Sequence, residues 1–285
     1  MADQLMTSSG ELTAIVPEVW SAKFYNTLLE RLPFVDSISR DYEGEVRDLG
    51  DTVNISQVPE FDQGTELAEG SKSDAEALTV SNFQLVINKR IVKDFIVTRK
   101  AQLQSIEVMD KLRDHAAFAI MKKMQNIIID SINPSSSAPD HQIAYDSGTT
   151  LALADILEAK ELLDEQDVAE EGRVGVLDVP QYNDLFNING FTSRDFIPAG
   201  SPLSEGAINT PVLGFQIKFT SALSNVCYFF HPSMIEMAVQ ENMAVSVFDQ
   251  GVDGLRAARV NTDLLFGLKS MDEGTNGNLR VVKIG

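Results

Sequence analysis

The feature that most constrains this chain is a stripe of residues at helical spacing between Gln102 and Ile132. Steps of three and four residues are typical of the buried side of an amphipathic helix. The positions of the stripe are Ile106, Met109, Leu112, Ala116, Ile120, Met124, Ile127 and Ser131. At 1.5 Å per residue, roughly 30 residues give a helix of roughly 45 Å, far longer than the average globular helix. Pro134 and the Ser-Pro run after it are predicted to end the helix.

The opposite face of the predicted helix suits water or a polar partner. Its residues are Asp110, Lys111, Arg113, Asp114, Lys122, Lys123 and Gln125. The spacing of the stripe drifts, so no strict heptad indicates a coiled coil. The sequence therefore predicts one long helix that packs along one side on the rest of the chain.

The composition is typical of a globular protein with a sizeable core. The chain has 285 residues, of which 44% are hydrophobic and 23% are charged. No apolar run reaches the length of a membrane span, and the start Met-Ala-Asp-Gln lacks the basic and apolar regions of a signal peptide. Cys227 is the single cysteine, so no internal disulfide can form, and we expect folding in a reducing cytoplasm.

The chain is strongly acidic, with a formal net charge of -19 at pH 7. Affinity for a nucleic-acid backbone comes from clustered lysine and arginine residues. The charge therefore argues against a groove that binds phosphates. If a protein with this net charge encounters DNA, we expect it not to bind the DNA tightly.

An amphipathic arm is predicted near the N-terminus. Pro17 followed by Glu18 is typical of a helix start, because proline is tolerated in the first turn. A short apolar stripe follows, formed by Val19, Trp20, Phe24, Leu28 and Leu32. The arm either docks on its own domain or anchors on a neighbouring subunit through Trp20, and the pattern does not choose between the two.

Two alternating segments, Thr52–Val58 and Leu78–Ile87, predict half-buried strands. The residues between them, 59–77, are acidic and almost without large apolar side chains, so they cannot pack a core of their own. Long connections of this type are usually functional or disordered. We expect this loop to find its contacts on another subunit, through Phe61, Glu66, Glu69, Lys72 and Asp74.

The second half of the chain alternates helices and strands. A second amphipathic helix is predicted over Leu151–Leu163, followed by a strand over Arg173–Val179 and a helix opened by Pro180. Further strands are predicted at 211–219 and 226–230, and Pro232 is predicted to open a short helical segment. Asn276-Gly277, between strand-like flanks, indicates a hairpin.

No motif of an enzyme or a metal site is present in the sequence. His115, His141 and His231 do not fall into a metal-ligand spacing, and there is no Gly-x-Ser-x-Gly elbow. The segment 272–277 superficially resembles a calcium loop, but Gly274 stands at a ligand position, so a tight turn is the better interpretation. The sequence predicts no catalytic residue, no cofactor and no metal.

The order of these elements resembles the major capsid proteins of tailed bacteriophages. The resemblance lies in the arm, the acidic hairpin loop, the very long helix, the strand and Pro-initiated helix of 173–185, and the Phe266-Gly267 step before the last strand. It implies an α+β, HK97-like capsid fold with an N-arm, an extended β-hairpin loop, a long spine helix, and peripheral and axial domains. The implied ranges are 1–49 for the arm, 50–98 for the extended loop, 99–186 for the spine helix and the first part of the peripheral domain, 187–250 for the axial domain, and 251–285 for C-terminal strands returning to the peripheral domain.

The resemblance also implies a function and partners. It implies a subunit that self-assembles, as pentamers and hexamers, into an icosahedral shell around phage double-stranded DNA bound without sequence specificity. A portal protein is implied, with no membrane, a place in the virion, and assembly in the host cytoplasm. Some members of the family carry a scaffolding segment ahead of the arm. Here the apolar arm starts by about residue 12, so no such segment fits, and a separate scaffolding protein is implied. A basic scaffold segment would meet acidic patches at Glu43, Glu45 and Asp48 or in the Glu161–Glu171 region.

Two alternatives remain at this point. An encapsulin-type nanocompartment shell shares the fold and the size, and would enclose protein cargo instead of a genome. The long N-terminal arm with Trp20 favours the phage shell. A soluble enzyme of unfamiliar class is the more distant alternative.

Overall fold

The structure is a computed structural model, and the residues it describes are 31–42, 52–57, 66–70, 72, 81–98, 106–132, 141–146, 148–188, 208, 211–252, 255–271 and 278–285. The chain divides into two units, Met1–Glu30 and Arg31–Gly285, and all the described residues belong to the second. The helices described are α1 (Ile106–Ile132), α2 (Leu153–Glu165) and α3 (Val179–Asp184). The strands described are β1 (Thr52–Gln57), β2 (Ser81–Val86), β3 (Lys89–Thr98), β4 (Gln142–Ile143), β5 (Val174–Asp178), β6 (Gln216–Thr220), β7 (Cys227–Phe230), β8 (Ile235–Val252), β9 (Leu255–Ser270) and β10 (Val281–Ile284).

The long helix α1 confirms the prediction from periodicity. Its fully buried apolar positions recur every four residues: Ala116, Ile120, Met124, Ile128 and Ile132. Leu112 was predicted on the buried stripe but is 37% exposed. The predicted stripe also ran one position early at its end, where Ile127 is half-buried and Ser131 donates a hydrogen bond to the Ile127 carbonyl oxygen at 2.7 Å. Gln125 was predicted on the polar face and is fully buried, because it lies beside Met124 on the packed side. The predicted start at Gln102 lies outside the described residues.

A three-stranded antiparallel sheet, in the order β3-β9-β8, supports α1. Met237 and Val239 of β8 and Leu264 and Phe266 of β9 share one core cluster with the buried stripe of α1. Phe34, from the segment 31–42, enters the same cluster and stacks on Phe230 with ring centroids 5.8 Å apart. The end of the arm is therefore fixed in the core of its own subunit.

A mixed five-stranded sheet, in the order β4-β10-β7-β5-β6, builds a second core. The helix α2 buries Ile156, Ala159 and Leu163 against it, together with Phe215 and Phe229. This helix, β5, β7 and α3 fall within about two residues of the predicted elements. The sequence was sufficient here because α2 has one clearly apolar face, and because β5 and β7 are short runs that are buried throughout.

Two predictions for the C-terminal third are wrong. The segment opened by Pro232 is a single 3-10 turn, Pro232–Met234, followed by the long strand β8 rather than a helix. Asn276-Gly277 lies outside the described residues, and its flanking strands β9 and β10 belong to different sheets, so it does not join a hairpin. Both errors come from pairing between distant strands, which a local pattern does not contain.

The strands β1 and β2 form the predicted antiparallel hairpin, with Thr52 opposite Val86 and Gln57 opposite Ser81. The range 187–250 contributes β6 and β7 to the five-stranded sheet and β8 to the three-stranded sheet. The division of 1–285 into arm, loop, spine, axial and peripheral ranges stays a prediction.

Candidate functional site

The β1–β2 hairpin is the part of the described structure best suited to reach another molecule, and its base is firmly held. Val53, Leu85 and Ile87 are buried with Ala238 of β8 in a small separate cluster. The backbone of β9 also approaches the hairpin closely. A Cβ atom at Gly267 would lie 2.6 Å from the carbonyl oxygen of Val86, so only glycine fits there. The hairpin base is therefore packed against the three-stranded sheet.

Beyond this base, the described part of the loop is exposed. Residues 66–70 and residue 72 are all accessible to solvent, and Leu67 is an exposed large apolar side chain. No hydrogen bond or ion pair joins Glu66, Glu69 or Lys72 to another residue that the structure describes. The loop is thus fixed at one end and has its polar groups available at the other.

The structure describes three of the six predicted contact residues. Glu66, Glu69 and Lys72 lie on the exposed loop, while Trp20, Phe61 and Asp74 lie outside the described residues. Their contacts with another subunit remain a prediction. Sequence reasoning named Gly267 only as part of the family resemblance and missed its close contact, because that contact depends on the backbone of a strand about 180 positions earlier in the chain.

Most buried acids in the five-stranded unit serve the local backbone. Asp155 accepts hydrogen bonds from the N–H groups of Asp146 at 3.0 Å and Ala152 at 2.7 Å. Asp178 accepts from the N–H groups of Val179 at 2.7 Å and Asn225 at 2.8 Å. These carboxylates replace missing backbone partners at helix and strand ends, so they are structural rather than catalytic.

The polar contact between the cysteine and a tyrosine is also unsuited to catalysis. The Tyr145 hydroxyl lies 3.4 Å from the Cys227 sulfur. Burial raises the pKa of the Cys227 thiol to about 12 and raises the pKa of the Tyr145 hydroxyl as well. Both groups stay protonated near neutral pH, whereas a nucleophilic cysteine needs a lowered pKa.

The described residues contain neither a helix that could span a membrane nor a cluster of side chains that could hold a metal ion. None of the three described helices has the length and apolar character to cross a bilayer. Among the same residues, no group of three or more histidine, cysteine, aspartate or glutamate side chains is placed to hold a metal ion.

Residues 50–282 match the family model described as phage capsid protein. The chain belongs to that family. The match spans the hairpin, α1 and nearly all of both larger sheets, and of the elements described above only the segment 31–42 and the last two residues of β10 lie outside it. No curated protein sequence matches the chain.

Solved phage capsid structures share the fold of this capsid protein. A structure from Mycobacterium phage Che8 matches with a TM-score of 0.72 and 22% identity, covering 95% of this chain and 97% of the other. The capsid asymmetric unit of cyanophage Pam1 matches with a TM-score of 0.72 and 14% identity, covering 100% of this chain and 98% of the other. The capsid structure of cyanophage P-SCSP1u gives a TM-score of 0.72 at 11% identity, covering 100% and 96%. The α+β, HK97-like fold is confirmed.

The family assigns the function in outline. This capsid protein is a shell-forming major capsid protein, a structural component of the icosahedral virion and not an enzyme. It acts as one of many subunits in a shell. Nothing in these similarities favours an encapsulin-type nanocompartment.

Proposed function

We propose that this capsid protein assembles in the host cytoplasm, as pentamers and hexamers, around a separate scaffolding protein, and that the shell later holds double-stranded DNA. In this proposal the extended hairpin links subunits, and a portal protein occupies one opening of the shell. The observation that carries the proposal is the hairpin itself. Its base is buried at Val53 and Leu85, while Glu66 to Gly70 are exposed and find no partner within the described subunit.

The cost of ordering such a loop supports a partner outside the subunit. Fixing one residue of backbone costs about 1–2 kcal/mol of conformational entropy. A stretch with few apolar side chains recovers little of that cost by itself. A neighbouring subunit that pairs with Glu66, Glu69 and Lys72 would provide the missing contacts, and repetition of the contact would close a symmetric assembly.

The charge supports DNA as contents rather than as a tightly bound ligand. A formal net charge of -19 per subunit repels phosphate, so packaged DNA would slide along an acidic wall. The same charge makes subunits repel each other, which supports a scaffolding protein with basic segments as an assembly partner.

Hydrogen exchange on unassembled subunits and on assembled shells tests the proposal. Peptides from residues 59–77 should exchange rapidly in the subunit and become protected in the shell, because the loop gains its contacts only there. Peptides from β5, which is fully buried in the subunit, serve as the control and should be protected in both states. Strong protection of the loop in the unassembled subunit would contradict the proposed role.

Electron microscopy of the expressed protein tests the shell directly. Coexpression with the scaffolding protein should give uniform shells, and the capsid protein alone should give fewer shells or aberrant spirals. Uniform small cages filled with protein, formed without a scaffold, would contradict the proposal.

A further inference from the structure

The outward side of helix α2 carries an unusual combination of side chains. Positions 153, 157, 161 and 165 recur every four residues, so they form a ridge along one side of the helix. Leu153 is 38% exposed and Leu157 is 46% exposed, although the same helix buries Ile156, Ala159 and Leu163 on its other side. Glu158, Glu161 and Glu165 continue the exposed side toward the C-terminus. We call Leu153, Leu157, Glu158, Glu161 and Glu165 the α2 ridge.

The acidic end of the α2 ridge is unfavourable in the subunit alone. The C-terminus of a helix carries a partial negative charge, which cations stabilise and anions destabilise. The last turn of α2 contains Asp164 and Glu165 and no basic residue. Glu161 and Glu165 are also like charges at i,i+4, which destabilises a helix by a few tenths of a kcal/mol. A cation supplied from outside would relieve both effects.

The nearby cations of the subunit are already occupied. The Lys160 Nζ atom pairs with Asp164 at 2.5 Å and with Glu170 at 3.4 Å. The buried Arg173 guanidinium binds Asp164 at 2.7 Å and the Val168 and Ala169 carbonyl oxygens. Among the described residues, no cation pairs with Glu158, Glu161 or Glu165. The α2 ridge therefore presents apolar side chains at one end and unpaired carboxylates at the other.

We propose that the α2 ridge docks a basic amphipathic helix of a separate protein, with apolar side chains on Leu153 and Leu157 and lysine or arginine side chains on the three glutamates. This rests on the proposed function in one respect, the existence of a separate assembly partner. From position 153 to position 165 the ridge is about 18 Å long at 1.5 Å per residue, which a partner helix of about 15 residues spans. Laying an apolar stripe along such a surface is an established mode of helix recognition.

Charge complementarity selects this partner over the other candidates. Nucleic acid would meet three carboxylates and be repelled. A second copy of this chain brings a further net charge of -19, so its approach to an acidic ridge is unfavourable over distances within the Debye length. A basic amphipathic helix gains apolar contacts at the leucine end of the ridge and ion pairs at the glutamate end. Its cations also complement the helix dipole of α2.

The test measures binding of a defined probe to unassembled subunits. The probe is a fluorescein-labelled amphipathic peptide of about 15 residues built from leucine and lysine, the length of the ridge at 1.5 Å per residue. A peptide of the same composition in scrambled order controls for charge alone. Leu157→Gln should weaken binding of the amphipathic peptide by about tenfold, as expected for loss of one apolar anchor. Glu161→Lys should weaken it strongly at low salt and less at high salt.

Matched variants elsewhere on the surface separate the α2 ridge from general effects. Val92→Gln removes an apolar side chain of similar exposure on β3, and Asp114→Lys makes the same charge change on the exposed side of α1. Both should bind the peptide as the unmodified subunit does. The inference would be overturned if Leu157→Gln bound the peptide as tightly as the unmodified subunit does. It would also be overturned if Val92→Gln weakened binding as much as Leu157→Gln does.

Assembly of the same variants distinguishes the two proposals. When no partner is present, subunits with Leu157→Gln should form the same assemblies, in the same amounts, as the unmodified protein. If they do not, the α2 ridge lies between copies of the chain and the inference is wrong. If the unmodified protein never forms shells even when it is coexpressed with the scaffolding protein, the proposed function fails, and the peptide measurement still decides the role of the ridge.

Discussion

The close approach between Gly267 and the hairpin gives a direct test of how the extended loop is held. A Cβ atom at this position would lie 2.6 Å from the Val86 carbonyl oxygen and 3.1 Å from the Ile87 Cα atom. Both are backbone atoms, so no side-chain rotation can relieve the contact. We therefore expect Gly267→Ala to push β2 away from β9 while the β8–β9 ladder stays formed.

The size of the effect follows from two opposing terms. Overpacking of this kind costs about 1–3 kcal/mol. Alanine recovers about 0.4–1 kcal/mol by restricting the unfolded chain. The remaining loss weakens the contact between the hairpin and the sheet. A loss of about 1.4 kcal/mol in that contact would raise tenfold the fraction of subunits in which the hairpin is detached from the sheet.

Hydrogen exchange of unassembled subunits is the suitable assay. Peptides from β1 and β2 should exchange about tenfold faster in Gly267→Ala, and shell assembly should become less efficient. Gly175→Ala is the matched control, since its Cβ atom would lie 2.9 Å from Phe229 in the other sheet. It should lower overall stability without selectively exposing β1 and β2. Unchanged protection of the hairpin in folded Gly267→Ala would refute the reasoning.

Four further predictions concern the core, pH and salt. Ile120→Asp places a charge at a position only 1% exposed and should lower the free energy of unfolding by several kcal/mol. A soluble, assembly-competent variant would show that the buried face of α1 is assigned wrongly. Gln125 is fully buried with both side-chain polar atoms unpaired among the described residues, so Gln125→Met should raise the free energy of unfolding in urea by about 1 kcal/mol, and a decrease would reveal a hidden partner. Burial raises the pKa of Glu236, which accepts a hydrogen bond from Ser39 at 2.7 Å, so stability should fall as pH rises through that raised pKa. Glu236→Gln should therefore stabilise the subunit near neutral pH and much less below about pH 4, and a gain that does not depend on pH would contradict this. With a net charge of -19 per subunit, shell assembly followed by light scattering should improve with added salt, and fastest assembly at the lowest salt would point to specific ion pairs instead.

The sequence contained the elements whose stability is local. The stripe of α1, the buried face of α2 and the alternation of β1 are each visible within one segment, because in each the apolar side chains recur at the period of the element itself. The same segments led to the family resemblance. Their order along the chain was sufficient to predict an α+β capsid fold.

The β8–β9 pair was missed for a physical reason. Ile235, Met237 and Val239 fit a strand period, but Ile235, Ala238 and Val239 also fit a helix. Pairing of Val239 with Phe266 in β9 decides for the strand, and that partner lies far along the chain. Gln125 was misplaced for a related reason, since its burial depends on how α1 sits on the sheet.

The position of β10 has a consequence for the timing of synthesis. This strand lies between β4 and β7, and the His141 ring pairs with the Val281 carbonyl oxygen at 3.1 Å across 140 positions of sequence. Contacts of such separation form slowly, and a ribosome must deliver residues 281–284 before the sheet can close. Until then β4 and β7 present open edges that can pair with other nascent chains. A subunit with β10 in place is therefore the form in which these two edges are closed and no longer available to other chains.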